Sequence, residues 1–511
     1  MRTRVAPGPG GVFSEVMVIP ECIPCGTIIV PNSRVEEFSL ATSIGQHAQE
    51  LSRTNPWWRG GRWQDLDPDL QAAASQNLNY VPDVLHGIRP GGLYLLRGPR
   101  RVGKTVSIKR KILELLEDGI PANAIVRVAA DGWPATAVRT VVQNVALPPI
   151  PDGHVRWWFF DEISAAEAGW DSQVKWLRDN DASFARSCVV LTGSDAAELA
   201  GAAGTLAGRR GNITDPDRTL LPMGFRSFAK LTEPSLPDIS LNLAHLHTPS
   251  AADVYRSLLP WLDDLVVEWE RYLAYGGFPV AVGAYRRAEP VPVSFLDTMI
   301  DVIGRDAFAA SQLPRSTSTE LVERLWASIG TPVNLSSIAE DIGVAHPTVS
   351  RHVEYLADAY LLWSCPQRHP DRWIPRKGSQ AKLYPVDPLI ARLAHLRNRN
   401  RRDIDPTALT EMMIGVAIHR SSIAAGRMWD EDQHLFYLRT PARKEIDFVS
   451  ENLAGTAIEG KYTERSRWRS EAATVNASNF KGILATRNVL DDSGGDAWAD
   501  PAGILAYLID G

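Results

Sequence analysis

A glycine-rich turn between residues 98 and 106 contains the residue types that bind phosphate groups. Gly98, Gly103, Lys104 and Thr105 fit the pattern G-x-x-x-x-G-K-[ST]. In such a loop, backbone N–H groups cradle the phosphates, Lys104 reaches the β- and γ-phosphates, and the Thr105 hydroxyl binds magnesium. The pattern therefore predicts a site for ATP and Mg2+. The residues expected to form it are Gly98, Pro99, Arg100, Arg101, Val102, Gly103, Lys104, Thr105 and Val106.

An acidic pair, Asp161 and Glu162, ends an apolar run that begins at residue 155. Behind a phosphate loop, such a pair is typical of ATP hydrolysis: Asp161 would hold magnesium, often through water, and Glu162 would act as general base on the attacking water. A later apolar run, starting at 187, ends at Ser194, which is expected to sense the γ-phosphate or that water. A small-residue turn capping the next helix is the alternative for Ser194.

An arginine pair at 209 and 210 follows these runs. Arg209 is the preferred candidate for an arginine finger that reaches the γ-phosphate of a neighbouring subunit, and a surface ion pair is the alternative. A finger in this role requires a homo-oligomer, possibly a hexameric ring.

The elements that must position these residues alternate along residues 91–235. Short apolar runs alternate with amphipathic stretches, and the run at 93–96 directly precedes the phosphate loop. This alternation predicts a parallel α/β sheet. Before it, we expect a flexible leader over 1–35 and a helical arm over 36–90. Trp57 and Trp58 are expected to pack this arm onto the next domain rather than to stack on a base.

The composition is that of an ordinary soluble globular protein. The chain has 511 residues, 44% of them hydrophobic and 22% charged, which suggests two to four domains. Its net charge of −6 gives no general affinity for nucleic acid, and no apolar run is long enough to span a membrane. With four cysteines and no secretory N-terminus, we expect a cytoplasmic protein. The spacing of Cys22 and Cys25 fits a redox pair or half a zinc site, but two incidental thiols explain it better.

Residues 318–365 have the pattern of a winged helix. A short helix ends at Gly343, and a second begins at residue 346 with an apolar stripe at helical spacing. Thr348, Arg351 and His352 would then be available to a DNA groove. A protein contact is the alternative for this module.

The next segment, 366–404, is expected to be a basic linker. Residues 366–402 contain ten Lys or Arg against two Asp, a local charge of +8. Neutralisation of DNA phosphates is the natural function of such a run, and a solvated basic face is the alternative. The candidates for DNA contact here are Arg397, Arg399, Arg401 and Arg402.

Residues 405–511 contain a second set of candidate metal ligands. Glu411 lies on a predicted helix, and Asp447 and Glu459 lie on consecutive predicted strands, with Lys461 two residues beyond. Carboxylates on adjacent strands can share a divalent ion that activates water for phosphodiester attack, while Lys461 stabilises the developing charge.

From about residue 55 onwards, these motifs resemble a prokaryotic family of AAA-type, archaeal-ATPase-like P-loop proteins with a C-terminal nuclease-like domain. The resemblance implies a P-loop parallel sheet, a helical lid over 236–317, a winged helix, and a C-terminal PD-(D/E)xK nuclease-like α/β domain. It also implies that Gly277 and Pro279 lie against the nucleotide, although a helix cap with a proline stop fits the same residues. Gly460 departs from the nuclease motif, where relatives have an apolar residue.

The resulting expectation is an oligomeric, magnesium-dependent ATPase that remodels, translocates along or branch-migrates double-stranded or branched DNA. Two alternatives remain at this point. One is a nucleotide-driven signalling or defence switch that oligomerises and binds protein. The other is a metal-dependent DNA nuclease gated by ATP.

Overall fold

The structure is a computed structural model that describes residues 44–78, 80–193, 196–306, 313–424, 434–440, 444–463 and 468–510. The predicted leader with its two cysteines, and Ser194, lie outside these residues. No helix in the described ranges is long and apolar enough to cross a membrane.

The N-terminal arm covers one edge of the first sheet. It comprises a helical stretch over 44–54, two 3-10 turns and helix α1 (Pro68–Ser75). The indole N–H groups of Trp57 and Trp58 both donate to the carbonyl oxygen of Ile125, at 3.0 and 2.9 Å. Asn55 exchanges two further hydrogen bonds with the backbone of Arg127. The predicted packing of this arm is confirmed, and it satisfies polar groups that an edge strand would otherwise expose.

The first sheet has five strands in the order β2-β3-β4-β1-β5, and each neighbouring pair is parallel. This confirms the predicted parallel α/β sheet. Because the strands are parallel, their carboxyl ends lie along one edge, where ligands bind in such sheets. The strands are β1 (Leu93–Arg97), β2 (Ile125–Ala129), β3 (Trp157–Asp161), β4 (Cys188–Thr192) and β5 (Asp217–Thr219). The helices between them are α2 (Lys104–Glu117), α3 (Ala135–Gln143), α4 (Trp170–Asn180), α5 (Ala182–Arg186) and α6 (Ala196–Thr205).

A helical region follows the first sheet. It consists of α7 (Phe225–Thr232), α8 (Pro249–Ser257), α9 (Leu262–Tyr275), α10 (Pro279–Arg286), α11 (Val293–Asp301) and a π-helical turn (Val302–Asp306). The region packs into a hydrophobic core that extends from residue 221 to residue 509. The predicted lid, winged helix and C-terminal domain therefore share one continuous core.

Three helices and a two-stranded antiparallel sheet occupy the predicted winged-helix region and continue past it. They are α12 (Arg315–Ala327), α13 (Leu335–Ile342), α14 (His346–Asp358), β6 (Leu362–Cys365) and β7 (Lys382–Pro385), followed by α15 (Pro388–Arg397). The Asn334 side chain caps α13, and Gly343 ends it in the left-handed conformation. Since β7 and half of α15 are buried, the prediction that 366–404 is a linker is wrong for this part of the segment.

The C-terminal region forms a second five-stranded sheet, in the order β12-β11-β10-β9-β8. Strands β10, β11 and β12 are parallel, whereas β8 and β9 pair antiparallel. Helix α16 packs on β10, and α19 packs on α7, α9 and α16. The elements are α16 (Pro406–Ala424), β8 (Phe436–Arg439), β9 (Glu445–Val449), β10 (Thr456–Gly460), α17 (Trp468–Glu471), α18 (Ala473–Asn476), β11 (Lys481–Thr486), β12 (Ala497–Pro501) and α19 (Ala502–Ile509).

Candidate functional site

The phosphate loop connects β1 to α2, and its two glycines have backbone conformations that side chains disfavour. Gly98 has a φ of +141°, and a side chain there would collide with the carbonyl oxygen of Leu220. Gly103 has a φ of +104° and directly precedes α2. The glycines are thus required by the turn itself, which places the positive end of α2 at the loop.

Lys104 is buried inside this loop. Its ammonium donates to the carbonyl oxygens of Gly98 and Pro99, at 2.8 and 3.1 Å. Burial lowers the pKa of Lys104 to about 8, although the nearby carboxylates of Glu162 and Asp161 oppose the shift. Lys104 is therefore a buried cation that donates to two neutral carbonyl oxygens and lies near the carboxylates of Glu162 and Asp161.

Asp161, at the end of β3, is the centre of a polar network between three neighbouring strands and the loop. Its Oδ1 accepts from the hydroxyls of Thr192, at 3.0 Å, and Thr105, at 3.3 Å. Its Oδ2 accepts from the guanidinium of Arg127, at 2.6 and 3.2 Å. Because β3 lies between β2 and β4, Arg127 and Thr192 approach Asp161 from opposite sides.

Glu162 leaves the strand in a left-handed conformation, with a φ of +54°. This conformation is rare for a residue with a side chain and occurs mostly at functional sites. The N–H of Glu162 donates to the Thr192 hydroxyl at 3.1 Å, which fixes the turn. A side chain at position 193 would collide with Ser164. Glycine at this position therefore lets the backbone after Thr192 pass close to Ser164.

These oxygens have the chemistry that a magnesium ion requires. Mg2+ prefers oxygen ligands and retains several waters. The Thr105 hydroxyl would hold the ion directly, and Oδ1 of Asp161 would hold it through water. Oδ2 of Asp161 is engaged by Arg127, so only one side of this carboxylate faces the loop.

Sequence reasoning did not identify Arg127, the residue that contacts Asp161 most closely. Its signal was present, because Arg127 is a charged residue in the middle of an otherwise apolar strand. A charge at such a position requires a partner, and the predicted site offered the Asp161–Glu162 pair.

Two other predicted nucleotide contacts have partners elsewhere. Arg209 forms an ion pair with Asp179, at 2.8 Å, at the half-exposed last turn of α4. The N–H of Gly277 donates to the buried carboxylate of Asp387, at 2.7 Å, and its carbonyl accepts from the N–H of Met223. Pro279 opens α10, as a proline at the first helical position does.

The DNA-binding candidates on α14 divide into two groups. Arg351 is exposed and Thr348 is half-buried. His352 is fully buried, within 3.3 Å of the Ser318 hydroxyl, and burial lowers its pKa to about 4. The prediction that His352 is available to DNA is wrong, because this face of α14 packs into the core.

Much of the basic run is neutralised inside the molecule. Arg392 pairs with Asp403, Arg397 with Asp297, and Arg401 with Glu323. Arg399 and Arg402 are exposed. The local charge available to a phosphate backbone is therefore smaller than the count of basic residues indicates.

The structure brings together the four C-terminal residues that the sequence singled out. Glu411 on α16 and Asp447 on β9 bind the same ammonium group, and the Asp447 Oδ2 accepts from the N–H of Gly460, at 3.0 Å. Lys461 Nζ lies 3.0 Å from Glu459 Oε2. A side chain at Gly460 would collide with the backbone of Glu411, so this departure from the motif lets α16 approach β10.

The shared ammonium group belongs to Lys382 on β7, which the sequence analysis had counted in the basic run. It lies 2.9 Å from Glu411, 2.8 Å from Glu445 and 3.0 Å from Asp447, with no exposed side-chain surface. Burial by itself lowers the pKa of Lys382, but the three carboxylates raise it well above its usual range. The arrangement does not fit a divalent ion bound by Glu411 and Asp447, because a cation already lies between them.

Comparison with protein families identifies two matched regions. Residues 91–229 match the family model of an AAA domain. Residues 266–402 match a domain of unknown function (DUF8612), whose limits cross the predicted boundaries at 317 and 365. A search of curated proteins found no match.

Solved structures with a similar fold have low scores. The Walker-type ATPase PABY2304 of Pyrococcus abyssi is 14% identical, with a TM-score of 0.34, and covers 60% of this chain and 91% of its own. The Aeropyrum pernix ORC1 protein in complex with DNA is 15% identical, with a TM-score of 0.25 and coverages of 70% and 95%. A variant of Thermotoga maritima RuvB is 15% identical, with a TM-score of 0.24 and coverages of 61% and 92%. On the family match and the site geometry, residues 91–229 carry the sheet and phosphate loop of an AAA-type P-loop ATPase.

Proposed function

We propose that this chain is a magnesium-dependent ATPase whose nucleotide cycle acts on DNA. The observation that carries the ATPase activity is the convergence of the phosphate loop, the Thr105 hydroxyl and the Asp161–Glu162 pair at one edge of the first sheet. Lys104 would bind the β- and γ-phosphates. Thr105 and Asp161 would hold magnesium, which supplies charge neutralisation at the phosphates when bound.

Glu162 is the proposed general base. Its carboxylate would accept a proton from the attacking water as the water oxygen bonds to the γ-phosphorus and the bond to the β–γ bridging oxygen breaks. The left-handed turn and the Thr192 hydrogen bond fix where this carboxylate starts. A base held in a fixed position relative to the attacking water increases the rate of hydrolysis.

The test compares Glu162→Gln with Glu167→Gln, an isosteric change at an exposed residue five positions on. Loss of a general base typically lowers a rate by ~100-fold or more. We expect phosphate release to fall by this amount in Glu162→Gln while ATP binding is kept, and to stay unchanged in Glu167→Gln. Equal turnover in the two variants would remove Glu162 from the mechanism.

The proposed DNA contact is the exposed face of α14. Helices α13 and α14 are joined by a tight turn after Gly343, and Arg351 and Thr348 lie near the start of the second helix, where recognition helices contact DNA. Arg399 and Arg402 would add phosphate contacts.

Arg351→Ala is the test of this surface, with Arg324→Ala as the matched control. Arg324 is half-buried and lies in the same module, but it is engaged by Asp341 and Glu320. We expect Arg351→Ala to weaken binding to double-stranded and branched DNA by ~5-fold or more. ATP turnover is measured with and without each DNA, and the DNA strands are resolved on a denaturing gel. Stimulated turnover with intact strands indicates remodelling, and shortened strands indicate cutting.

Arg209 is the proposed finger that enters a neighbouring site in a homo-oligomer. Mixing two inactive variants, Glu162→Gln and Arg209→Ala, tests this directly. In mixed oligomers, the intact site of an Arg209→Ala subunit can receive the arginine of a Glu162→Gln subunit. We expect turnover to recover on mixing, and no recovery would mean that Arg209 has no role between subunits.

A second candidate is an ATP-driven switch that binds a protein partner rather than DNA. The internal ion pairs of Arg392, Arg397 and Arg401 favour it, because they reduce the basic surface on which DNA binding depends. Turnover that no DNA changes, together with no DNA binding, would favour the switch.

A further inference from the structure

The ammonium of Lys382 is surrounded by carboxylate oxygens from two elements of the C-terminal region. Glu411 comes from α16, whereas Glu445 and Asp447 come from β9. The ammonium donates hydrogen bonds to Glu411 and Asp447 at 2.9 and 3.0 Å, and Glu445 forms an ion pair with it at 2.8 Å. Three carboxylates therefore surround the ammonium, and the side chain has no exposed surface.

This position is incompatible with a metal ion on the same ligands. A divalent cation binds carboxylate oxygens at about 2.0–2.6 Å. An ion that used Oε1 of Glu411 and Oδ1 of Asp447 would compete with the Lys382 ammonium, which already binds these same two atoms. Like charges in a buried site also repel strongly.

The rest of the site is arranged around the ammonium. The Tyr384 hydroxyl donates to Glu411 at 2.5 Å, and the Tyr437 ring lies 5.7 Å from Lys382 Nζ. Glu459 differs from its neighbours: it is 1% exposed, and within the described part of the chain neither of its oxygens has a well-aligned hydrogen-bond donor. Because Glu459 Oε2 forms an ion pair with Lys461 at 3.0 Å, Oε1 is the oxygen of Glu459 that lacks a partner in the described ranges.

We infer that Lys382 is an internal cation that takes the place of a divalent metal in the C-terminal carboxylate cluster. The cluster is then a metal-free ionic lock between β7 and the C-terminal sheet. Removing the ammonium while keeping a side chain of similar length opens a site for one divalent ion on Glu411, Asp447 and Glu459. This inference is independent of the proposed ATPase activity, because it concerns residues outside the nucleotide site.

The test uses Mn2+ as a spectroscopic probe of the full-length, nucleotide-free protein. Four forms are compared by electron paramagnetic resonance: the wild type, Asp447→Asn, Lys382→Met, and Lys382→Met with Asp447→Asn. We expect the wild type and Asp447→Asn to bind Mn2+ equally. Lys382→Met should gain one bound ion per chain, and the double variant should lose it.

Two results would overturn the inference. One is a wild-type Mn2+ site that disappears in Asp447→Asn, which would mean that the carboxylates bind metal with Lys382 present. The other is a folded Lys382→Met protein, verified by circular dichroism, that gains no ion. Should Lys382→Met fail to fold, the first pair of proteins still decides: equal binding supports the lock, and loss of binding in Asp447→Asn rejects it. None of these outcomes depends on ATP turnover.

Discussion

The nucleotide site and the C-terminal cluster each contain a buried lysine beside carboxylates, but the two lysines have different partners. Lys104 donates to two neutral carbonyl oxygens of its own loop. Lys382 forms ion pairs with three carboxylates from two other elements. The partners determine the net effect on each pKa. Burial lowers the pKa of Lys104 to about 8, whereas at Lys382 the three carboxylates outweigh burial and raise the pKa.

The difference teaches how to distinguish a ligand site from a structural ion pair. A cation held by carbonyls gains electrostatic energy when an anion such as a phosphate replaces them, since charge-assisted hydrogen bonds are stronger than neutral ones. A cation already held by carboxylates gains little from a new anion and prevents the carboxylates from binding a metal. Lys104 can therefore exchange its carbonyl acceptors for a phosphate, whereas Lys382 already has carboxylate partners within the fold.

Lys104→Ala is expected to have the largest effect, because it should change ATP turnover far more than thermal stability. Loss of a donor that stabilises transition-state charge lowers the rate by ~100-fold or more. We expect ATP turnover to fall by at least this amount, with little loss of thermal stability because the carbonyl oxygens of Gly98 and Pro99 are neutral acceptors. Initial rates of phosphate release and melting temperatures are the measurements.

Lys109→Ala is the matched control for that experiment. Lys109 lies on the same helix and is also buried, but its partners are Asp67 and Asp69 of the N-terminal arm. We expect its loss to lower stability and leave turnover nearly unchanged. If the two lysine variants lost activity to the same degree, the distinction by partner type would be wrong.

The two sites also differ in how far the sequence could predict them. The phosphate loop and the acidic pair are local patterns, each within about ten residues, so the chemistry could be assigned before the fold was known. The contact of Lys382 with Glu411 and Asp447 spans 29 and 65 residues. The charge count over residues 366–402 predicted that Lys382 lies on a basic surface. In the structure, Lys382 is buried because β7 pairs with β6.

His352 shows an error that the sequence could have avoided. On α14 the buried residues Val349, His352 and Leu356 follow the helical spacing of three and four residues. The apolar stripe thus already placed position 352 on the core side. His352 was assigned to DNA binding because of its residue type, and its position relative to the apolar stripe of the helix was not considered.

Asp500→Asn tests what burial does to a C-terminal carboxylate that has no cation. Asp500 on β12 is fully buried, and its oxygens have no hydrogen-bond partner within the described ranges. Burial, and to a lesser extent Asp492, raises its pKa to about 8. Between the unfolded pKa near ~4 and this value, the folded chain binds the extra proton, so stability falls as pH rises.

Asparagine removes this titration. We expect the melting temperatures of Asp500→Asn and the wild type to agree near pH 4, and the variant to be more stable at pH 8 by on the order of 5 kcal/mol. Thermal unfolding at pH 4, 6 and 8 measures the difference. Parallel pH profiles would mean that Asp500 has a partner that satisfies its charge.

Arg127→Gln tests the one place where the nucleotide site resembles the C-terminal cluster, because there too a basic side chain engages a candidate metal ligand. Arg127 neutralises Asp161 from the side opposite Thr105. Without it, the full negative charge of Asp161 faces the loop and attracts Mg2+ more strongly. We expect the Mg2+ concentration for half-maximal turnover, at saturating ATP, to fall by ~3-fold to 10-fold.

Arg156→Gln is the control for this change, since its guanidinium lies in the same domain but donates to the carbonyl oxygens of Asn123 and Pro148. Its Mg2+ requirement should match that of the wild type. A rise in the Mg2+ requirement of Arg127→Gln would show the opposite role, in which the guanidinium holds Asp161 in its binding position. In that case Arg127 would support the metal rather than compete with it, and the parallel with Lys382 would fail.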